Sequence, residues 1–229
     1  MIPSAGHLFY VADVSRPVLS DTDHHHAARV LRCRVGEEVT VCDGAGRWRR
    51  CRWDDGGLVV VGEAVSETAP PELRCVAFSP VKGAKPEFVV QKLTELGVER
   101  IVVLSTDRSV VRHDATRWAR LAERLVAVAR EAGMQSRRAF LPSIEVGVEF
   151  SEFVAAMPAV VLADRGGRAL SWSDRCIAIG PEGGWSDEER ARVTDRVSLA
   201  EGVLRAETAA IAAGVLMGVR PCASRNRGG

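Results

Sequence analysis

Several things that would declare a function class are scarce or missing in this chain. Aromatics make up 5% of its 229 residues, and Tyr10 is the one tyrosine. Of 31 basic residues only Lys82, Lys85 and Lys92 are lysines; the other 28 are arginines. GC-rich codon usage accounts for most of that bias, although arginine also suits phosphate and base recognition. Cys33, Cys42, Cys51, Cys75, Cys176 and Cys222 form no C-x-x-C pair. A structural zinc site or dithiol redox motif therefore has little support, and scattered thiols suit a reducing cytosol. No G-x-G-x-x-G or P-loop pattern is present, which disfavours a conventional dinucleotide or ATP site. No apolar run approaches the ~18 residues of a membrane span, and the N-terminus does not read as a secretory signal. The net charge of +1 identifies no polyanionic partner. His24, His25 and His26 form a run with no second ligand cluster nearby, so no metal is expected.

What is present is a globular composition, with 46% hydrophobic and 27% charged residues. That supports one large domain or two modest ones. Residues 1–66 read mostly as β, with strands at 8–11, 38–42, 47–53 and 58–65. Asp43-Gly44 gives a hairpin signal, and a helix over 23–32 takes Asp21, Thr22 or Asp23 as its N-cap. Short strands with glycine turns suggest a small barrel. Pro70-Pro71 sits in a linker over 66–72.

The pattern then changes. Buried strands at 75–79, 100–104, 159–163, 176–179 and 197–200 alternate with helices at 85–96, 116–132, 150–157, from Ser186, and at 205–218. That alternation implies a parallel sheet covered on both faces. Residues 221–229 read as a frayed tail.

Three loops follow strands of this sheet, beginning near Asp164, Gly180 and Ala200. In a parallel sheet they share the carboxyl end, where ligands bind. Gly180, Gly183, Gly184 and Gly202 let backbone approach a ligand, and Pro181 stiffens one loop. Ordinary turns would account for one such loop; two glycine loops point to a pocket. Arg205 and Glu207 follow, as a cation and a carboxylate beside the pocket or as simple helix punctuation. A basic cluster lies between residues 29 and 52. Seven arginines (Arg29, Arg32, Arg34, Arg47, Arg49, Arg50, Arg52) face three acids there, with Trp48 and Trp53 interleaved. It reads either as a phosphate-gripping patch with stacking surfaces or as a solvated face.

Together these residues resemble the RsmE family of SPOUT-class methyltransferases acting on 16S ribosomal RNA. The resemblance covers nearly the whole chain. It is carried by His26-Ala-Ala-Arg-Val-Leu-Arg32 with Asp43-Gly44, and by Lys85-Pro-Glu-Phe-Val-Val-Gln-Lys-Leu-Thr-Glu-Leu-Gly97. Ile179-Gly-Pro-Glu-Gly-Gly184 and Leu204-Arg-Ala-Glu-Thr-Ala209 are the most specific stretches. One segment departs from the pattern. Many members end the long helix with Glu-Gln, a small residue and Arg, where this chain has Glu131-Ala-Gly-Met-Gln-Ser-Arg-Arg138.

The resemblance implies an α/β fold: a PUA-like β-barrel for RNA over residues 1–68 and a SPOUT domain with a deep trefoil knot over 73–229. It implies S-adenosyl-L-methionine held by three loops: Leu162, Ala163 and Asp164; Gly180, Pro181, Glu182, Gly183 and Gly184; Leu199, Ala200, Gly202, Val203 and Leu204. Arg205 is the expected charge stabiliser, with Glu207 and then Glu182 as candidate bases. Arg29, Arg32, Lys82, Lys85, Arg108 and Arg137 are the expected RNA contacts. The implied product is N3-methyluridine in the decoding region, made by a cytoplasmic homodimer on 16S rRNA or an assembled small subunit. Two alternatives remain open at this point. Ribose 2′-O methylation would be told apart by the labelled nucleoside, and a non-catalytic assembly factor by its failure to bind the cofactor.

Overall fold

The computed structural model describes residues 2–54, 56–71, 73–80, 86–109 and 114–218. Lys82, Lys85, Cys222 and the expected tail lie outside them. The chain divides into two compact units, one formed by residues 1–71 with 127–141 and the other by residues 72–126 with 142–229.

The first unit holds β1 (His7–Tyr10), α1 (Asp21–His25), a π-helical segment (His26–Leu31), β2 (Glu38–Cys42), β3 (Arg47–Asp54), β4 (Gly57–Val60) and β5 (Val65–Ser66). β1 pairs with β2 in parallel, and β2 with β3 as the antiparallel hairpin turned at Asp43-Gly44. β4 and β5 share the far edge of β3, so the expected strand over 58–65 is in fact two short ones. The expected start of the first helix also shifts. Ser20 is the N-cap, its hydroxyl accepting from the Asp23 amide at 3.1 Å. Asp23 lies inside the first turn, buried and paired with Arg130 at 2.5 Å.

Alternation along β3 decides the fate of the tryptophans. Cys51 and Trp53 face one core with Val39 and Val41, while Trp48 lies on the opposite face of β3, buried in a second cluster with Leu8, Tyr10 and Cys42; Arg47, Arg50 and Arg52 stay exposed. Trp48 and Trp53 are 7% and 3% accessible, so they pack the interior and offer no stacking surface.

The second unit is built on six parallel strands in the order β11-β9-β10-β6-β7-β8. They are β6 (Cys75–Phe78), β7 (Arg100–Ser105), β8 (Ser143–Glu149), β9 (Val161–Ala169), β10 (Cys176–Ile179) and β11 (Arg196–Ser198). The helices are α2 (Pro86–Leu96), α3 (Ala115–Ser136), α4 (Phe150–Ala156), α5 (Asp187–Ala191) and α6 (Ala206–Gly218). Central strands such as β7 and β10 are apolar along their length because helices cover both faces. The core joins Ala77, Val102, Leu104, Phe153, Leu162 and Trp185. α3 runs a full turn beyond the expected Ala132, and its later part belongs to the first unit.

β9 also differs from expectation. It does not end near Asp164: its pairing with β11 jumps from Leu162 to Arg168, and residues 163–167 form an excursion that leaves β11, with Ala163 still paired to Ile179 of β10. Gly167 closes this excursion. A Cβ there would come within 2.5 Å of the Arg196 carbonyl on β11, so only glycine permits the approach.

Candidate active site

The β9 excursion and the carboxyl ends of β10 and β11 surround a cavity of about 470 Å³. Its wall runs through residues 163–165 of the β9 excursion, 179–185 after β10, and 197–200 and 202–206 after β11. Every expected cofactor-lining residue is on that wall except Leu162. Leu162 is fully buried in the core behind it, because alternation along β9 turns its side chain away.

Trp185 holds the wall together. Its indole Nε1 donates to the Ala163 carbonyl at 3.1 Å, and its ring packs against Phe150 at 4.8 Å between centroids. A Cβ on Gly180 would reach that ring at 2.9 Å. Glycine at 180 is thus required by the tryptophan as much as by any ligand. Arg190 on α5 reaches back to Asp164, Nε to Oδ2 at 3.1 Å, and joins the β9 excursion to the segment after β10. Both residues line the cavity.

The start of α5 anchors a fourth segment. Ser186 and Glu189 form a reciprocal capping box, the Ser186 hydroxyl accepting from the Glu189 amide at 3.1 Å. Glu189 is buried and also accepts from the Asp107 amide at 3.0 Å. The Ser186 hydroxyl donates to the Asp107 carboxylate at 2.5 Å. Arg108, next in the chain, donates to the Gly183 carbonyl at 3.1 Å. The loop after β7 is therefore tied to the loop after β10.

Arg205 and Glu182 are exposed and both line the cavity. Glu207 does not. In the first turn of α6, it faces a narrow crevice with Ser79, Pro80, Pro86 and Val89. Among the other expected RNA contacts, Arg29 and Arg32 are exposed in the first unit. Arg137 is already engaged. It ends α3 in the left-handed conformation, and its guanidinium donates to the carbonyls of Pro3 at 2.7 Å and of Gly6. The phosphate contact expected of it gives way to a clamp on the N-terminal segment. Arg165 and Trp185 fall within the expected loops 162–167 and 179–185, whereas Arg190 and Ser198 are cavity residues that sequence reasoning missed.

A larger depression of about 1260 Å³ lies wholly within the first unit, with Tyr10, His26, Glu131 and Gln135 on its walls. It is an amphipathic groove, and it brings the departing Glu131–Gln135 segment onto one surface.

A family model described as an RNA methyltransferase domain matches residues 70–218, and one described as an RNA methyltransferase PUA domain matches residues 19–52. This chain belongs to the RNA methyltransferase family that those models define. Family relatives include proteins named ribosomal RNA small subunit methyltransferase E. One from Mycobacterium bovis is 33% identical, covering 93% of this chain and 91% of its own. One from Bacillus subtilis is 27% identical, covering 81% and 82%. The crystal structure of a ribosomal RNA small subunit methyltransferase E from Neisseria gonorrhoeae, bound to S-adenosyl methionine, is 28% identical. It matches with a TM-score of 0.74 over 92% of this chain and 96% of that one.

Proposed function

We propose that this chain transfers a methyl group from S-adenosyl-L-methionine to N3 of a uridine in 16S ribosomal RNA of the small subunit. The observation that carries the reading is the cavity between the β9 excursion and the ends of β10 and β11, in a chain of the RNA methyltransferase family. Its volume of about 470 Å³ falls within the range of small-molecule pockets. Its wall is mainly loop backbone and small side chains, cross-tied by Trp185 and Arg190, and this fits a nucleoside-bearing donor. The segments 163–165, 180–184 and 199–204 would hold it. When bound, S-adenosylmethionine supplies a methyl group on a sulfonium sulfur.

The chain's own residues deal with the acceptor. Uridine N3 carries a proton and is a poor nucleophile while neutral, so that proton must leave and the resulting charge must be held. Arg205, exposed at the cavity, stabilises the negative charge developing on the uracil oxygens. Glu182 takes the base role, because it lines the cavity whereas Glu207 faces the crevice beside β6. A carboxylate is a weak base for such a proton, so Arg205 carries the larger share of the catalysis. Arg29, Arg32 and the groove of the first unit position the RNA, with Arg137 setting the shape of the N-terminal segment.

The same reading takes residues 1–68 as a PUA-like barrel and 73–229 as a SPOUT domain. The path from β10 across β9 to β11, and back to α6 against β6 and β10, is then threaded as a trefoil knot. The working form is a cytoplasmic homodimer. Calorimetric titration with S-adenosylmethionine tests the cavity assignment: one site per chain is expected, weakened by Gly180→Ala and preserved in Arg205→Ala. Absence of binding would remove the methyltransferase reading and leave a non-catalytic RNA-binding factor.

A further inference from the structure

His7 lies far along the chain from Cys33 and Glu37, yet the first unit brings the three together. Among the described residues they form the one group of three or more histidines, cysteines or carboxylates whose ligand atoms all lie within 4.8 Å of one another. Parallel pairing sets His7 opposite Val39, so the residues just before β2 lie beside the start of β1. His7 Nε2 and Glu37 Oε1 are 3.8 Å apart.

Each ligand is positioned by its backbone. Arg32 takes the left-handed conformation at φ 55°, ending the π-helical segment and turning the chain into Cys33. The Cys33 amide is held by the Ala27 carbonyl at 3.0 Å. A tight turn follows, closed by the Glu37 amide on the Arg34 carbonyl at 2.9 Å. Within that turn the Glu37 carboxylate is oriented: Oε2 accepts from the Arg34 amide at 3.0 Å, leaving Oε1 toward His7. An oriented carboxylate with one oxygen anchored and the other presented is the outer-shell support that metal ligands have.

We propose that His7, Cys33 and Glu37 form a three-ligand binding site for a divalent ion of the zinc class. A mixed imidazole, thiolate and carboxylate set suits zinc or cobalt, whereas magnesium and calcium favour oxygen alone. Ligands of a tetrahedral ion at such bond lengths lie about 3.3–3.8 Å apart. The imidazole and carboxylate atoms, 3.8 Å apart, stand a few tenths of an ångström beyond the short, nitrogen–oxygen end of that range, and small side-chain rotations of all three would close the set. The ion replaces the thiol proton, which leaves to solvent, and water completes the fourth position. A filled site would pin the start of β1, the turn after the π-helical segment and the approach to β2 to one another.

The sequence gives no zinc motif because His7 belongs to β1 while Cys33 and Glu37 share the turn before β2, and only the parallel β1–β2 pairing joins them. The site is independent of the methyl-transfer reading.

Cobalt(II) titration of the full chain tests the proposal. One equivalent should bring up a thiolate-to-cobalt charge-transfer band with the visible bands of tetrahedral cobalt. Cys33→Ser should abolish the charge-transfer band, and His7→Gln should weaken binding at least roughly tenfold, with circular dichroism unchanged in both. Zinc should raise the thermal midpoint of the wild type and leave that of Cys33→Ser where it was. A flat titration, or a wild-type spectrum in Cys33→Ser, would overturn the proposal.

Discussion

Trp185 and Gly180 are in direct dependence: the indole ring occupies the space where a Cβ on residue 180 would stand, 2.9 Å from its nearest atom. The same indole donates to Ala163, so any shift of the ring is passed to the β9 excursion. Gly180→Ala should therefore destabilise the second unit by about 1–3 kcal/mol, as overpacking does. It should also weaken S-adenosylmethionine binding by about tenfold per 1.4 kcal/mol of distortion at the wall. Denaturant unfolding and calorimetric titration read the two effects separately.

Arg190→Ala removes the guanidinium that neutralises Asp164. The Asp164 side chain is only 14% exposed, so its carboxylate would be left largely desolvated beside the cavity. A loss of about 1–3 kcal/mol is expected, shared between stability and donor affinity. Arg190→Lys should recover less than half, since a point charge cannot reproduce the guanidinium's geometry. An affinity for S-adenosylmethionine unchanged in Arg190→Ala would show that the pair does not shape the cavity.

The placements of Arg205, Glu182 and Glu207 predict different outcomes for three variants. Arg205→Ala should lower turnover by about 10²–10³, the effect of deleting one charge-stabilising donor, while leaving donor affinity nearly intact. Glu182→Gln should lower turnover by less, about 10², the low end of general-base effects. Glu207→Gln should leave turnover close to wild type. Single-turnover methyl transfer with saturating donor distinguishes them.

Two buried protons in the first unit make its stability sensitive to alkali. The Tyr10 hydroxyl donates to the Arg138 carbonyl at 2.7 Å, and the Cys42 thiol to the Ala139 carbonyl at 3.4 Å. Burial pushes the Cys42 thiol from 9.0 up to about 11, and pushes the Tyr10 phenol well above its ordinary value. Both groups hold their protons more tightly folded than unfolded. Their contribution is therefore complete below about pH 9 and declines as pH rises through the folded values. Denaturant midpoints followed from pH 8 to 11 should fall, and Cys42→Ala should flatten the decline between pH 9 and 11.

The parallel sheet was legible because β6, β7 and β10 are unbroken apolar runs, as strands covered on both faces must be. The glycine loops were legible for the same reason, since each follows such a run. β8 was missed although Ile144, Val146 and Val148 alternate with polar residues; it is an edge strand with partly buried positions. The β9 excursion read as the end of a strand, because pairing that resumes at Arg168 leaves no local signal. Arg190 was invisible as a cavity residue because its partner Asp164 lies on another element. Glu207 was misplaced for a helical reason. Two residues beyond Arg205 on a helix start is about 200° of rotation, so the two side chains leave on opposite sides.

Methyl transfer from labelled S-adenosylmethionine to small ribosomal subunits lacking the modification, followed by nucleoside analysis, decides whether this chain is a uridine-N3 methyltransferase. Label should appear in N3-methyluridine and nowhere else. Label on a ribose or another base, or no label from a chain that binds the donor, would contradict that assignment.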